Sequence, residues 1–391
     1  MFTAVFLAFL TFIPGAHPTF AEFVARVKAE PGAGRQKIVE QYLSEAGSTP
    51  IIENDSIVNF IWYGKAASVL INGNLEKGWS KADTLEAIQC GDSTLYIETR
   101  TVPDDARLDY QVVVDGKYNL DPRNPLTSPS GYGLHSVVWM PKHQAVPELK
   151  YRADVSHGSL DTLQFATQDV SLRPRRVIVY KPAGYEKFSE MPVILMHDGE
   201  DALNYGEAAN VLDNLVAEGK MVPVIGVFVP AVEREAEYDG MKTYEYAKAL
   251  CGELMPMIEA KYRVSKDPLK HATVGASDGG HITLDLFFGH PETFGCAGGQ
   301  SSTVTPVIHE LEYSAVDHHL LSPQARLYID VGTYDIPEFH NTTFYDLNRE
   351  FDTGLTAEHV PHIFRVVHEG HEWGSWRERW PEMFQYFFPK N

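Results

Sequence analysis

At 391 residues, 44% hydrophobic and 22% charged, the chain has the composition of an ordinary globular protein with length enough for two domains. A net charge of −20 argues against a nucleic-acid binder, which carries basic patches, and against an anionic membrane surface, and weighs slightly against a strongly anionic substrate. The three cysteines, Cys90, Cys251 and Cys296, have no metal-ligand spacing and leave an odd one, so they read as small buried hydrophobes rather than a disulfide framework.

The chain opens on an apolar run, Phe2 to Ile13, followed by a candidate cleavage region at Thr19-Phe20-Ala21. The expectation is an export signal over 1–21 and a periplasmic or secreted protein. No Lys or Arg precedes the run, so an ordinary apolar segment of a cytoplasmic protein is the alternative. Residues 22–50 read as a helical lead-in. Apolar residues at helical spacing, Phe23-Val24-Val27 and Ile38-Val39-Tyr42-Leu43, are broken by Glu30–Gly34 and ended by Pro50.

From 51 to 141 the pattern changes to short β-prone runs, among them Ile57–Trp62, Ser68–Ile71, Thr94–Thr99 and Tyr110–Val114. Turn signals at Asn72-Gly73-Asn74 and Asp115-Gly116 lie between them. These predict an antiparallel, immunoglobulin-like sandwich of about a hundred residues. Trp79 and Trp139 are read as core or edge packing, with sugar stacking as the alternative. Residues 142–156 form a polar linker. Beyond it, apolar β-branched runs (Arg176–Tyr180, Met191–Met196, Val222–Val229, Ala272–Val274, Arg326–Val331) alternate with helical patterns (Ala208–Glu218, Tyr244–Tyr262, Ile282–Phe288, Phe344–Thr353, Trp376–Phe388). That alternation predicts an α/β domain over 157–391, a mostly parallel sheet covered on both faces.

Chemistry concentrates where strands end. Gly275-Ala276-Ser277-Asp278-Gly279 joins a strand to a helix, the context of a G-x-S-x-G nucleophile elbow, in which glycines let strand and helix approach and leave the serine hydroxyl free. Such a serine needs a histidine base oriented by an acid. His371 follows the strand Ile363–Val367 and Gly370, with His368 a competitor. Asp335 follows Arg326–Val331, in the chain order Ser…Asp…His, with Glu338 a less favoured substitute and Asp330 placed inside the strand. The loop His197-Asp198-Gly199-Glu200-Asp201 is a second source of backbone donors. The N–H of Asp278 and that of Gly199 or Glu200 are the candidate oxyanion donors, an arrangement that tolerates an acidic side chain at Asp278 if it points away. His368-Glu369-Gly370-His371 lacks the H-E-x-x-H spacing, and no metal or cofactor is expected.

With these residues placed, the chain resembles the enterochelin-esterase-like branch of the α/β-hydrolase superfamily. Tyr180-Lys181-Pro182-Ala183-Gly184-Tyr185, His197-Asp198-Gly199, Glu233-Arg234-Glu235-Ala236-Glu237-Tyr238, Glu253-Leu254-Met255-Pro256, His290–Gly295 and Gly370-His371-Glu372-Trp373 with Trp376-Arg377 are similar to segments of that family. Asp121–Pro125 and Ser136–Pro141 resemble its N-terminal, carbohydrate-module-like sandwich. Asp278 and Glu369 depart from the pattern. The resemblance implies Ser277 as nucleophile and His371 as base. It leaves Asp335 less fixed, because some members act with a Ser-His pair, and it makes Arg234, Glu237, Trp373 and Arg377 candidates for substrate binding. It implies a serine carboxylic-ester hydrolase. Bulky carbohydrate-linked feruloyl or acetyl esters are favoured over a siderophore trilactone, because a ferric triscatecholate would want a basic pocket. A hydrolase-fold binding protein without catalysis is the alternative of another class. Oligomeric state is left open.

Overall fold

The computed structural model describes residues 18–32, 34–75 and 77–390; the apolar run Phe2 to Ile13 lies outside them. The helix Phe20–Ala29 starts on a capping box in which the Thr19 hydroxyl accepts from the Glu22 N–H and Glu22 reaches back to the Thr19 N–H. With the helix Gly34–Ala46 it buries Phe20, Phe23, Val27, Val39 and Leu43 against Ile61, Ile88, Leu95 and Ile97. Those four side chains line the outer face of a four-stranded antiparallel sheet formed by Ile51–Glu53, Ile57–Gly64, Ser93–Thr101 and Glu86–Cys90. Its inner face, with Val58, Phe60 and Tyr96, packs on Val69, Ile71, Leu108, Tyr110 and Val112 of a second layer. These two layers are the sandwich.

The second layer does not stop at the sandwich. Arg107–Val114, Gly133–Trp139 and Thr127–Ser130 continue a 14-stranded sheet that includes the whole α/β half. The join is narrow, one parallel pairing of Glu369 with Arg107. Along the rest of that sheet, Ser159–Phe165 and Arg175–Lys181 run antiparallel. They are followed in space by parallel strands Ile225–Val229, Val193–His197, His271–Ala276, Cys296–Gln300, Arg326–Tyr334 and His362–Gly370. In the four strands from Ile225–Val229 to Cys296–Gln300 every residue is buried, as expected where helices cover both faces.

Two elements differ from expectation for one reason, proline. The pattern Tyr244–Tyr262 is not one helix. Pro256 has no N–H to give to the preceding turn, and the chain passes from Thr243–Ala249 through a wide π turn, Leu250–Leu254, into Met255–Lys261. Likewise Trp376–Phe388 breaks into Trp373–Trp376, a 3₁₀ turn Arg377–Arg379 and Trp380–Phe387, which carries Pro381 in its first turn.

The join between the halves is charged and dry. Arg107 is 2% exposed and places Nη1 2.6 Å from Asp109 Oδ2 and Nε 3.5 Å from Glu378 Oε1. Arg379 sits 2.9 Å from Glu369 Oε2 and 3.0 Å from Asp330 Oδ2. His143 Nε2 lies 2.8 Å from Glu378 Oε2. The side-chain atoms of His143, Glu369 and Glu378 come within 4.8 Å of one another, but Arg107 and Arg379 already answer their charge, so the cluster reads as an ion-pair network. Removing one member of such a buried pair strands the other. Arg107→Ala is therefore expected to lower the unfolding free energy by about 3–5 kcal/mol. Urea titration measures this, and a loss below about 1 kcal/mol would show that the network contributes as little as a surface pair.

Candidate active site

Five strands end on a residue of chemical interest at the next position: His197 on Asp198, Ala276 on Ser277, Gln300 on Ser301, Tyr334 on Asp335 and Gly370 on His371. Parallel strands in register bring these ends to one edge of the sheet.

Ser277 holds φ 60° and ψ −125°, a backbone state that β-carbon-bearing residues avoid. The turn is tight because Gly275 and Gly279 touch, and a Cβ on Gly275 would lie 2.1 Å from the Gly279 carbonyl oxygen. The Ser277 N–H donates to the Gln300 carbonyl at 3.0 Å, and the Thr303 N–H donates to the Ser277 carbonyl at 3.1 Å. Asp278 is the first residue of the helix Asp278–Gly289, so its N–H is among the amides a helix start leaves without an intrahelical partner.

Asp335 accepts from His371 Nδ1 at 2.6 Å, from Ser301 Oγ at 2.5 Å and from the Ile336 N–H at 2.8 Å. Burial alone would raise its pKa. The charge of His371 and these three hydrogen bonds outweigh burial and hold the carboxyl below the usual carboxylate range. An ionised Asp335 only accepts, so Nδ1 is the ring nitrogen of His371 that carries the proton of this bond. The imidazole is clamped edge-on between Phe344, at 5.2 Å between ring centres, and Trp376, at 4.8 Å. Trp376 also donates Nε1–H to Ser301 Oγ at 3.0 Å. The competitors stand elsewhere. His368 turns to Asp105 at 2.6 Å, Asp330 is fully buried against Arg379, and Glu338 is exposed.

The run Asp198–Glu200 begins the helix Gly199–Asn204, so Gly199 and Glu200 stand at its free-amide start. Gly199 packs against the neighbouring strand, where a Cβ would lie 2.3 Å from the Phe228 carbonyl carbon. The loop is close to the Ser277 turn, since a Cβ on Gly279 would be 3.3 Å from Asp198 Oδ2 and 3.5 Å from His197 Cβ. The Glu200 carboxylate turns outward to Arg176. His197 itself is buried, and burial with nearby Arg234 pushes its pKa down to about 3, so it serves as a neutral partner of Thr273.

The four candidate binding residues do not converge. Glu237 has no exposed surface and pairs with Arg175 through two 2.9 Å contacts, so it cannot meet a substrate; the correction is that its charge belongs to the core. Arg234 is near the site but committed. It grips Asp198, with contacts of 2.9–3.1 Å, and meets Asp278 Oδ2 at 2.6 Å. The same contact, with Thr303 Oγ1 at 2.8 Å from Asp278 Oδ1, draws the Asp278 carboxylate away from its own helix start. Trp373 is half-buried among Trp376 and Trp380. Arg377 donates to the Tyr205 carbonyl at 2.9 Å, and burial, with Arg107 nearby, holds its pKa below the usual value.

The candidate pair His371–Asp335 opens on a cleft of about 800 Å³ between the α/β half and the sandwich. His371 and Glu372 form one wall; Asn72, Trp79, Tyr118 and His135 form the other. No lysine or arginine lines it among the described residues. A larger cleft, about 1030 Å³, lies at the opposite ends of the strands, around Pro192, Leu269, Ala325 and Pro361, away from every candidate residue. Of the expected sandwich tryptophans, Trp79 lines the cleft beside His371, while Trp139 packs on His143. Ser301 has no place in the sequence reading, and Trp376 enters it only through the Trp376-Arg377 resemblance and the closing helix; the hydrogen bond that joins the two was not foreseen. The polar run Gln300-Ser301-Ser302-Thr303 at a strand end was the available signal for Ser301.

Comparison with known proteins follows the same line. The family described as "Putative esterase" matches residues 171–387. An endo-1,4-beta-xylanase/feruloyl esterase of Xylanibacter ruminicola is 28% identical over 256 residues, covering 61% of this chain but 32% of its own length, so the chain spans about a third of that relative. The ferric enterobactin esterase of Salmonella typhimurium superposes with a TM-score of 0.72 at 16% identity, covering 89% of this chain and 98% of that one. A feruloyl esterase module from Clostridium thermocellum superposes at 0.52 with 16% identity, over 63% of this chain and 93% of its own. At such identities the two structures show a shared fold.

Two outcomes follow from the electrostatics. Ser301→Ala removes one of the hydrogen bonds that hold the Asp335 carboxyl low and should move the titration of that carboxyl to higher pH in an NMR pH series. An unchanged or lowered midpoint contradicts the arrangement. Glu372 is pushed well above the carboxylate range by burial and by the charge of Asp109. Its unfolded form ionises from about pH 4.3 upward while the folded form keeps its proton, so stability falls as pH rises above that value. Glu372→Gln should remove the penalty, with a gain in thermal midpoint that grows between about pH 5 and pH 8. A gain that shrinks with pH would reverse the sign.

Proposed function

Because the chain belongs to the Putative esterase family, we propose that it is a serine carboxylic-ester hydrolase in which Ser277 attacks, His371 moves the proton and Asp335 holds the imidazole. The observation that carries this reading is the 2.6 Å His371–Asp335 bond, at the same sheet edge as the strained Ser277 turn. His371 Nε2 takes the Ser277 proton as Oγ attacks the ester carbonyl. The N–H of Asp278 and an N–H of the Gly199–Glu200 loop receive the oxyanion. His371 then protonates the departing alcohol, and a water molecule repeats the sequence on the acyl-enzyme.

Within this class, the reading favoured is a bulky neutral ester, of the feruloyl or acetyl type carried on carbohydrate. The support is the cleft, which no lysine or arginine lines among the described residues and which the exposed Glu338 borders. A siderophore trilactone bound as a ferric triscatecholate would bring concentrated negative charge to that wall. Arg234, a basic group beside the elbow, is already neutralised by Asp198 and Asp278. Export is part of the proposal. Thr19 caps the first helix and Phe20 is buried in it, so a cut that spares this helix falls ahead of Thr19, and N-terminal sequencing of the mature protein tests it.

Ser277→Ala should lower turnover of a nitrophenyl ester by at least about 10⁴-fold while leaving the circular dichroism spectrum unchanged. A variant that keeps most of its activity removes Ser277 from the mechanism. A fluorophosphonate probe should label the wild type and not this variant; an unlabelled wild type would instead favour a hydrolase fold without catalysis.

A further inference from the structure

We infer that the cleft between the sandwich and the His371 loop receives the alcohol half of the ester, and that Asn72, Trp79 and His135 of the sandwich, with Glu372, select a neutral polyhydroxyl alcohol there. The inference rests on the ester-hydrolase reading above and adds which half of the substrate meets which domain.

Direction comes from the chemistry of the base. In acyl transfer the proton taken from the nucleophile is delivered by the histidine to the leaving oxygen, so the alcohol must lie on the histidine's side of the carbonyl. Asp335, His371 and Glu372 line the cleft. Ser277 is not among its lining residues. A group seated in the cleft is therefore placed against the base, where the alcohol departs.

Selectivity comes from the polar atoms of the sandwich wall. Asn72 Nδ2 donates to the Trp79 carbonyl at 3.1 Å and to the Tyr118 hydroxyl at 3.2 Å, which fixes the amide and leaves Oδ1 as its acceptor. Asn72 Oδ1, Trp79 Nε1 and His135 Nδ1 are shielded from water and have no hydrogen-bond partner among the described residues. Each such atom is destabilising while unpaired, which is a reason to expect partners brought by a ligand. Together they present an acceptor, a donor and a ring nitrogen able to serve as either. A hydroxyl both donates and accepts and can satisfy all three, whereas a carboxylate or phosphate only accepts and cannot serve Asn72 Oδ1.

The wall also carries little charge. Burial holds the His135 pKa below its usual value and raises that of Glu372, so both favour their neutral forms. Their facing atoms, His135 Nδ1 and Glu372 Oε1, are 3.8 Å apart, a separation that lets one hydroxyl oxygen reach both. The Trp79 ring lies over His135 at 4.4 Å between centres, and Tyr118 and Tyr132, 58% and 93% exposed, stand at the rim. Flat aromatic faces beside hydroxyl-matching groups suit a sugar ring, with its apolar face and polar edge.

The test varies one half of the ester at a time. Wild type, Trp79→Ala and Asn72→Ala are compared on methyl ferulate, methyl acetate and ferulate carried on a neutral arabinose-containing oligosaccharide. The expected result is that the ratio of kcat/KM for the oligosaccharide ester over methyl ferulate falls about tenfold in each variant. The preference between ferulate and acetate as methyl esters should stay as in wild type. An unchanged alcohol ratio, or a changed acyl preference with the alcohol ratio intact, overturns the inference. Calorimetry of the unesterified oligosaccharide on the Ser277→Ala protein gives a readout free of turnover. Binding that Trp79→Ala weakens supports the subsite, and no binding, or binding indifferent to Trp79, counts against it. Failure of the hydrolase reading is a separate result, seen as a wild type that cleaves none of the three esters.

Discussion

The strained turn at Ser277 is held on both sides by one neighbouring run. Its N–H is bound to Gln300 and its carbonyl to Thr303. A left-handed backbone at a serine costs on the order of 1–3 kcal/mol, and it persists because these bonds and the close contact of Gly275 with Gly279 leave no roomier path. Gly280 is pressed in the same way, since a Cβ there would lie 2.4 Å from Ser302 Oγ. The same Gln300–Thr303 run supplies Ser301, which fixes the second oxygen of Asp335. One segment therefore sets the position of the candidate nucleophile and of the acid that orients its candidate base. The relay Trp376–Ser301–Asp335–His371 passes from the closing helices back to that edge through hydrogen bonds of 3.0, 2.5 and 2.6 Å.

The sandwich takes part in this geometry. The strand His362–Gly370 is the last of the parallel set, and its free edge is met by Arg107 of the sandwich through the Glu369 pairing. Gly370, one residue before His371, lies so near Asn74 that a Cβ would sit 2.1 Å from that side chain. Gly374, three residues after it, has Arg107 and Ser128 at similar range. Across the cleft, Gly78 abuts Pro337, two residues past Asp335. The loops that bear His371 and Asp335 are thus shaped from the α/β side by Ser301 and Trp376 and from the sandwich side by Asn74, Gly78 and Arg107. A cleft walled by both halves follows from that contact.

Much of this was legible in the sequence, and the illegible part has a common cause. The turn around Ser277 announces itself because glycines are needed where strand and helix touch. Asp335 and His371 stand immediately after β-prone runs, and the structure brings them within hydrogen-bonding distance. Charge was the poor guide. Arg234, Glu237 and Arg377 looked like substrate contacts because a sequence shows a charge and hides what neutralises it. Glu237 is spent on Arg175, Arg234 on Asp198 and Asp278, and Arg377 on a backbone carbonyl. The role of Ser301 depends on a partner 34 residues away and on two strand ends lying in register, which no local pattern reports. Trp79 was read mainly as packing. It does pack, against His135, but on the wall of the cleft.

The central claim is that Ser277 becomes acylated. Its most direct test is mass spectrometry of protein quenched in acid during steady-state turnover of a slowly deacylating aromatic ester, followed by digestion and peptide mapping. The expected result is one added acyl group, on the peptide that contains Ser277, which disappears as the ester is exhausted. Turnover with no acylated peptide, or with the acyl group on another residue, would contradict it.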